Sequence, residues 1–131
     1  MKQVLRVTTS GEIYLHRAQE FELQCLQQMV GGYIEVVHPV GLIRPFVMVV
    51  DEEGRLKDKP INRIASYLYS QAEPIVGDII VMAEGPNEYG ENDIIGLTED
   101  QYRACYQYLL EIQQRITKEK GPETAATVTE R

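Results

Sequence analysis

The sequence predicts an α+β fold, and three observations carry the prediction. Residues 23–37 (LQCLQQMVGGYIEVV) read as an amphipathic helix that ends at Gly31-Gly32 and turns at once into a β-branched strand. Residues 2–9 alternate apolar and polar side chains up to a Ser10-Gly11 turn, the pattern of a hairpin. Residues 98–116 carry a helical stripe behind an N-terminal capping signal. In order, the elements read ββαββαβα: a small, twisted, mostly antiparallel sheet of about five strands with two or three helices packed on it. Residues 1–117 are expected to form a single α+β domain and 118–131 a flexible C-terminal tail, which is polar and broken by Gly121 and Pro122.

In the first strand Val4, Arg6 and Thr8 point one way and Leu5, Val7 and Thr9 the other, and residues 12–15 return as its partner. The first helix is placed at 20–30, with Leu23, Leu26, Met29 and Val30 on one face. Gly31 closes it, because a residue without Cβ takes the left-handed conformation without a clash. A strand follows at 32–38. The next is the β-branched run at 42–50, whose proper start is set near Phe46 by Pro45, since proline cannot donate to a ladder. Residues 51–54 (DEEG) turn the chain, and Arg55-Leu56 are read as a short return strand. The second helix, 61–70, has Ile61, Ile64, Ala65 and Leu68 as its stripe. Residues 79–83 (IIVMA) form a short apolar strand expected at the centre of the sheet, and 94–96 a short extended piece. Thr98 with Gln101 makes a capping box for the last helix, whose inner face holds Tyr102, Cys105, Tyr106, Leu109, Ile112, Gln113 and Ile116.

The net charge of -7 argues against nucleic-acid binding, which needs a concentrated basic face; neither DNA nor RNA is expected as a partner. The longest apolar run is far below the ~20 residues of a membrane span, and the first residues lack a signal-peptide pattern, so the expected location is the cytoplasm. Cys25 and Cys105 fall at apolar helix positions and read as buried free thiols. His16 and His38 have no metal-ligand spacing around them, and neither Ser66 nor Ser70 sits in a nucleophile context. No catalytic residue, metal or cofactor is expected, and the chain is read as a non-enzyme.

Three constellations remain. Arg55, Lys57, Lys59 and Arg63, with Asn62 among them, follow a turn and lead into a helix start, which suits an anion; the same run also reads as a solvated turn balanced by Asp51, Glu52, Glu53 and Asp58. The loop 85–93 offers Tyr89 for stacking and Asn87 and Asn92 for hydrogen bonding, or is simply a mobile hairpin connection. Tyr67, Tyr69, Tyr102, Tyr106 and Tyr108 suit a protein interface or the rim of the core.

Three segments together, LQQMVGGYIEVV (26–37), VVDEEGRL (49–56) followed by PIN (60–62), and IVGDIIV (75–81) followed by GLTEDQ (96–101), resemble domain-of-unknown-function family 3846. These are small proteins encoded by bacteria, phages and mobile elements. The resemblance implies no activity but suggests an accessory role, of which counter-defence is one. The expected function is a non-enzymatic, homo-oligomeric sponge that sequesters a small anionic nucleotide-like signal, with Arg55, Lys57, Asn62, Arg63, Tyr89, Asn92 and Arg103 as ligand-binding residues. The alternative is an acidic inhibitor that blocks a host defence protein by covering its basic surface.

Overall fold

The computed structural model describes residues 1–71 and 73–119 of the 131-residue chain. Its elements are β1 (Lys2–Val7), β2 (Ile13–Ala18), α1 (Leu23–Val30), β3 (Ile34–Val37), β4 (Phe46–Asp51), α2 (Arg63–Tyr69), β5 (Ile79–Pro86), β6 (Asn92–Ile95) and α3 (Glu99–Glu119). The expected α+β order holds. The extended piece at 94–96 proves to be the end of a sixth strand, which pairs with β5 through Ala83↔Ile95 and Pro86↔Asn92.

The sheet is open and antiparallel at every pairing, in the order β2-β1-β5-β4-β3. β5 is the centre, as its apolar run predicts. Its first half pairs with β1 on one side, its middle with β4 on the other, and its second half with β6. Both faces of β4 and β5 are covered, which is why neither strand alternates in polarity. One face packs Leu5, Val7, Met48, Val50, Ile79 and Val81 against Ile64, Ala65 and Leu68 of α2 and Cys105, Leu109, Ile112 and Ile116 of α3. The opposite face packs Val4, Val47, Val49, Ile80 and Met82 against Leu26 and Val30 of α1. The alternation of Val4 against Leu5 and Val7 in β1 follows this two-sided burial.

Helix ends match their sequence signals. Gly31 takes φ 80°, ψ 30° and donates to Gln27 O. Thr98 N donates to Gln101 Oε1 at 2.9 Å, and Gln101 N to Thr98 Oγ1 at 3.1 Å, completing the box.

Other boundaries shift for local reasons. α2 starts at Arg63 rather than 61 because Asn62 is its N-cap, accepting from Ala65 N at 3.1 Å. Ile61 is therefore outside the stripe and exposed. β4, by contrast, starts at Phe46, where Pro45 sets it in the sequence. Arg55 and Leu56 form no return strand: Lys57 N, Asp58 N and Lys59 N bond back to Glu53 O, Arg55 O and Gly54 O, so the segment curls into consecutive turns. Cys105 is buried as expected, whereas Cys25 is half-buried at the edge of the short α1. α3 runs on to Glu119, so Lys118 belongs to the helix; residues 120–131 of the expected tail lie outside the described residues.

Candidate functional site

The basic run is drawn inward by one carboxylate. Asp51 ends β4 with its side chain wholly buried. Its Oδ2 accepts from Lys57 Nζ at 2.9 Å and from Lys59 Nζ at 2.6 Å, and its Oδ1 from Glu53 N at 2.9 Å. Burial alone would raise its pKa; the hydrogen bonds from Lys59, Lys57 and the Glu53 amide outweigh that and hold it at about 2.

The two ammonium groups continue to the end of α1. Lys59 Nζ donates to Val30 O at 2.7 Å and Lys57 Nζ to Gly31 O at 3.0 Å, so both cations cap the negative end of the helix. The positive φ selects glycine at Gly31, and at Gly32 the buried Asp51 carboxylate leaves little room for a side chain. A Cβ on Gly32 would lie 2.5 Å from both Asp51 Oδ1 and Lys57 Nζ, and one on Gly31 2.9 Å from Lys59 Nζ.

Asn62 is equally committed. It is fully buried, and its Nδ2 donates to Val7 O at 2.9 Å and to Gly77 O at 3.0 Å while Oδ1 caps α2. Arg55 donates to Pro74 O at 2.7 Å and pairs with Glu73. It stands beside a recess of about 300 Å³ that also receives Glu35, Glu52 and Tyr69.

A second cluster lies on the α1 face of the β1–β2 hairpin. Arg6 Nε donates to His16 Nε2 at 3.1 Å, Arg6 Nη1 pairs with Asp78 at 3.3 Å, and the guanidinium lies 4.7 Å above the Tyr14 ring. Burial, then the Arg6 charge, lowers the His16 pKa. Asp78 Oδ1 also accepts from Thr9 N at 3.1 Å.

At the far end of β5 lies an open groove of about 490 Å³. Tyr89 stands on its edge, 79% exposed. The β5–β6 turn that carries it is fixed by Asn87, whose Oδ1 accepts from Tyr89 N at 2.9 Å and Glu91 N at 3.0 Å.

The seven expected ligand-binding residues therefore do not converge. Lys57 is exposed but tied to Asp51 and Gly31 O, Asn62 is engaged inside the domain, Arg55 is tied to Pro74 and Glu73, and Arg103 pairs with Glu99 at 3.4 Å on α3. Arg63 is exposed at the start of α2. Tyr89 and Asn92 sit beyond the opposite end of β5, whose eight residues span roughly 25 Å from the Lys59–Gly77 contact. The reason is topological: the chain enters β5 beside the lysines and leaves it beside the tyrosine. Asp51 is the residue whose weight sequence reasoning missed. Its signal was an acid closing a β-branched strand ahead of two lysines spaced by two.

Among the described residues, no group of three or more His, Cys, Asp or Glu is placed to hold a metal ion, and no helix is long and apolar enough to cross a membrane. Burial pushes the Cys105 thiol up to about 12, which leaves it without nucleophilic character.

A family model described as Domain of unknown function (DUF3846) matches residues 1–112. The chain belongs to that family. The DUF3846 match spans β1 through most of α3, including Asp51, both lysines and the Gly31-Gly32 pair. No curated protein and no solved structure is significantly similar to the chain.

Proposed function

We propose that this DUF3846 protein is a non-catalytic accessory protein of phage or mobile-element type that uses its acidic surface to cover a basic site on a host defence protein. The observation that carries the reading is the fate of the basic run: Lys57 and Lys59 are bound to Asp51 and to helix carbonyls, so their donors are engaged within the domain and their charge is partly neutralised. Lys2, Arg17 and Arg103 also pair with carboxylates, while Glu22, Glu35, Glu52, Glu88, Glu91, Asp100 and Glu111 are exposed, within a chain of net charge -7. Such a surface steers a basic partner into contact and repels nucleic acid and free phosphate. Affinity capture from a defence-active bacterial lysate, followed by native mass spectrometry, tests it. The expected result is a stoichiometric protein partner released by high salt. A retained nucleotide with no protein overturns it.

Sequestration of a nucleotide-like anion is the second reading, supported by Tyr89, an exposed ring beside a groove of nucleotide size. Lys2 lines that groove, and a second copy of the chain would bring further cations, such as Arg63, to it. Calorimetric titration with cyclic dinucleotides, cyclic trinucleotides and cyclic ADP-ribose isomers separates the two: heat of binding favours sequestration, and none across the panel removes it.

A further inference from the structure

We propose that the groove beside the β5–β6 turn is the docking site for a basic amphipathic segment of the partner protein. The assignment rests on the protein-binding reading and names the surface that performs it. Three features argue for this occupant.

The floor is apolar. α1 has only eight residues, about 12 Å of helix, and packs over β3, β4 and the body of β5. Beyond it, the half-buried Phe21 and Ile94, packed over the buried Met82, line the bottom of the groove. The wall is an aromatic ring, Tyr89, exposed over most of its area. The rim is acidic. Glu20, Glu88 and Asp93 line the opening against Lys2, which pairs with Glu20 at 3.2 Å, and Met1, which carries the N-terminal ammonium, so the carboxylates outnumber the cations by one.

An apolar floor, an aromatic wall and a carboxylate rim match the anatomy of a lysine or arginine side chain. The aliphatic stem lies on the floor, the cation faces the ring, and its N–H groups donate to the carboxylates. A phosphate at the same place would meet Glu88 and Asp93. Asn87 holds the turn in place before anything binds, which reduces the ordering cost of association.

The test uses the full chain and a short fluorescein-labelled peptide of repeating Leu-Lys-Lys-Leu blocks. Fluorescence anisotropy is expected to show salt-sensitive binding, and amide NMR shifts are expected to concentrate at Phe21 and across residues 87–95. Tyr89→Ala and Asp93→Lys, both at exposed positions, should each weaken binding by about tenfold, the equivalent of ~1.4 kcal/mol. Glu35→Gln and Glu111→Gln remove acidic charge elsewhere and should change it by less than about twofold. No binding, shifts spread over the whole acidic surface, or equal losses in the control variants would overturn the groove assignment. A salt-released protein captured from lysate equally well by Tyr89→Ala and Asp93→Lys would overturn it too, yet leave the inhibitor reading intact. Capture of a nucleotide alone would remove both.

Discussion

Asp51 shows how a single side chain redirects its neighbours. Lys57 and Lys59 look, in isolation, like a phosphate cradle; one buried carboxylate turns them into struts between β4 and the end of α1. Removing it leaves two ammonium groups without their anion, so Asp51→Asn is expected to cost about 3 kcal/mol, measured as a fall in the urea midpoint at unchanged slope. Its protonation has a defined sign. The folded pKa of about 2 lies below the ordinary 3.8, so the contribution is complete above about pH 4 and is lost as pH falls through 2. Urea titrations across that window should show about 2 kcal/mol of acid-labile stability that Asp51→Asn lacks. His16 titrates in the same sense at higher pH. Burial and Arg6 depress its pKa, so the stability it adds is present above its ordinary value of 6.5 and falls as the ring is forced to take a proton. NMR titration of the imidazole should give a midpoint below 6.5, and Arg6→Ala should move it upward.

Elements are bounded here by two kinds of signal, and their costs differ. Thr98 and Gln101 form a local device at an exposed helix start, so Thr98→Ala is expected to cost about 1 kcal/mol and nothing more. Gly32 is different, since the methyl of Gly32→Ala would strike Asp51 and Lys57 and displace both. Its cost should exceed that of Thr98→Ala, and it should shrink when combined with Asp51→Asn, because the two substitutions damage one contact. A double-mutant cycle by urea denaturation checks this. Legibility follows the same division. The capping box, the Gly31 stop and the Pro45 limit on β4 are signals that neighbouring residues carry, and each stands where the sequence places it. The return strand at Arg55-Leu56 does not form, because the turns there are held by Asp51, Lys57 and Lys59 acting across β4 and α1.

For the whole molecule, β5 is the element on which everything else hangs. It pairs with three strands and feeds both cores, through Ile79, Val81 and Ala83 on one face and Ile80 and Met82 on the other. Hydrogen exchange should therefore be slowest in residues 79–83 and markedly faster in β2 and β3, the strands at the sheet edges. The same strand separates the basic turns from the tyrosine turn, and this decides what kind of site is available. At one end Lys57 and Lys59 are tied to Asp51. At the other, α1 is too short to cover the sheet and an acidic, ring-walled groove stays open.

The amino-acid sequence by itself determined the α+β class, the element order, the centrality of residues 79–83 and the family, because apolar period, glycine stops and caps act over a few residues and are written in consecutive positions. Only the tertiary structure decided which charges remain available to a partner. Asp51 meets Lys59 across eight residues of turn, and Lys59 meets Val30 across twenty-nine of chain. Asn62 likewise closes on Val7 from fifty-five residues away. Contacts of that range depend on how strands are ordered in the sheet, and burial, which sets the strength of each ion pair, exists only once the sheet has formed.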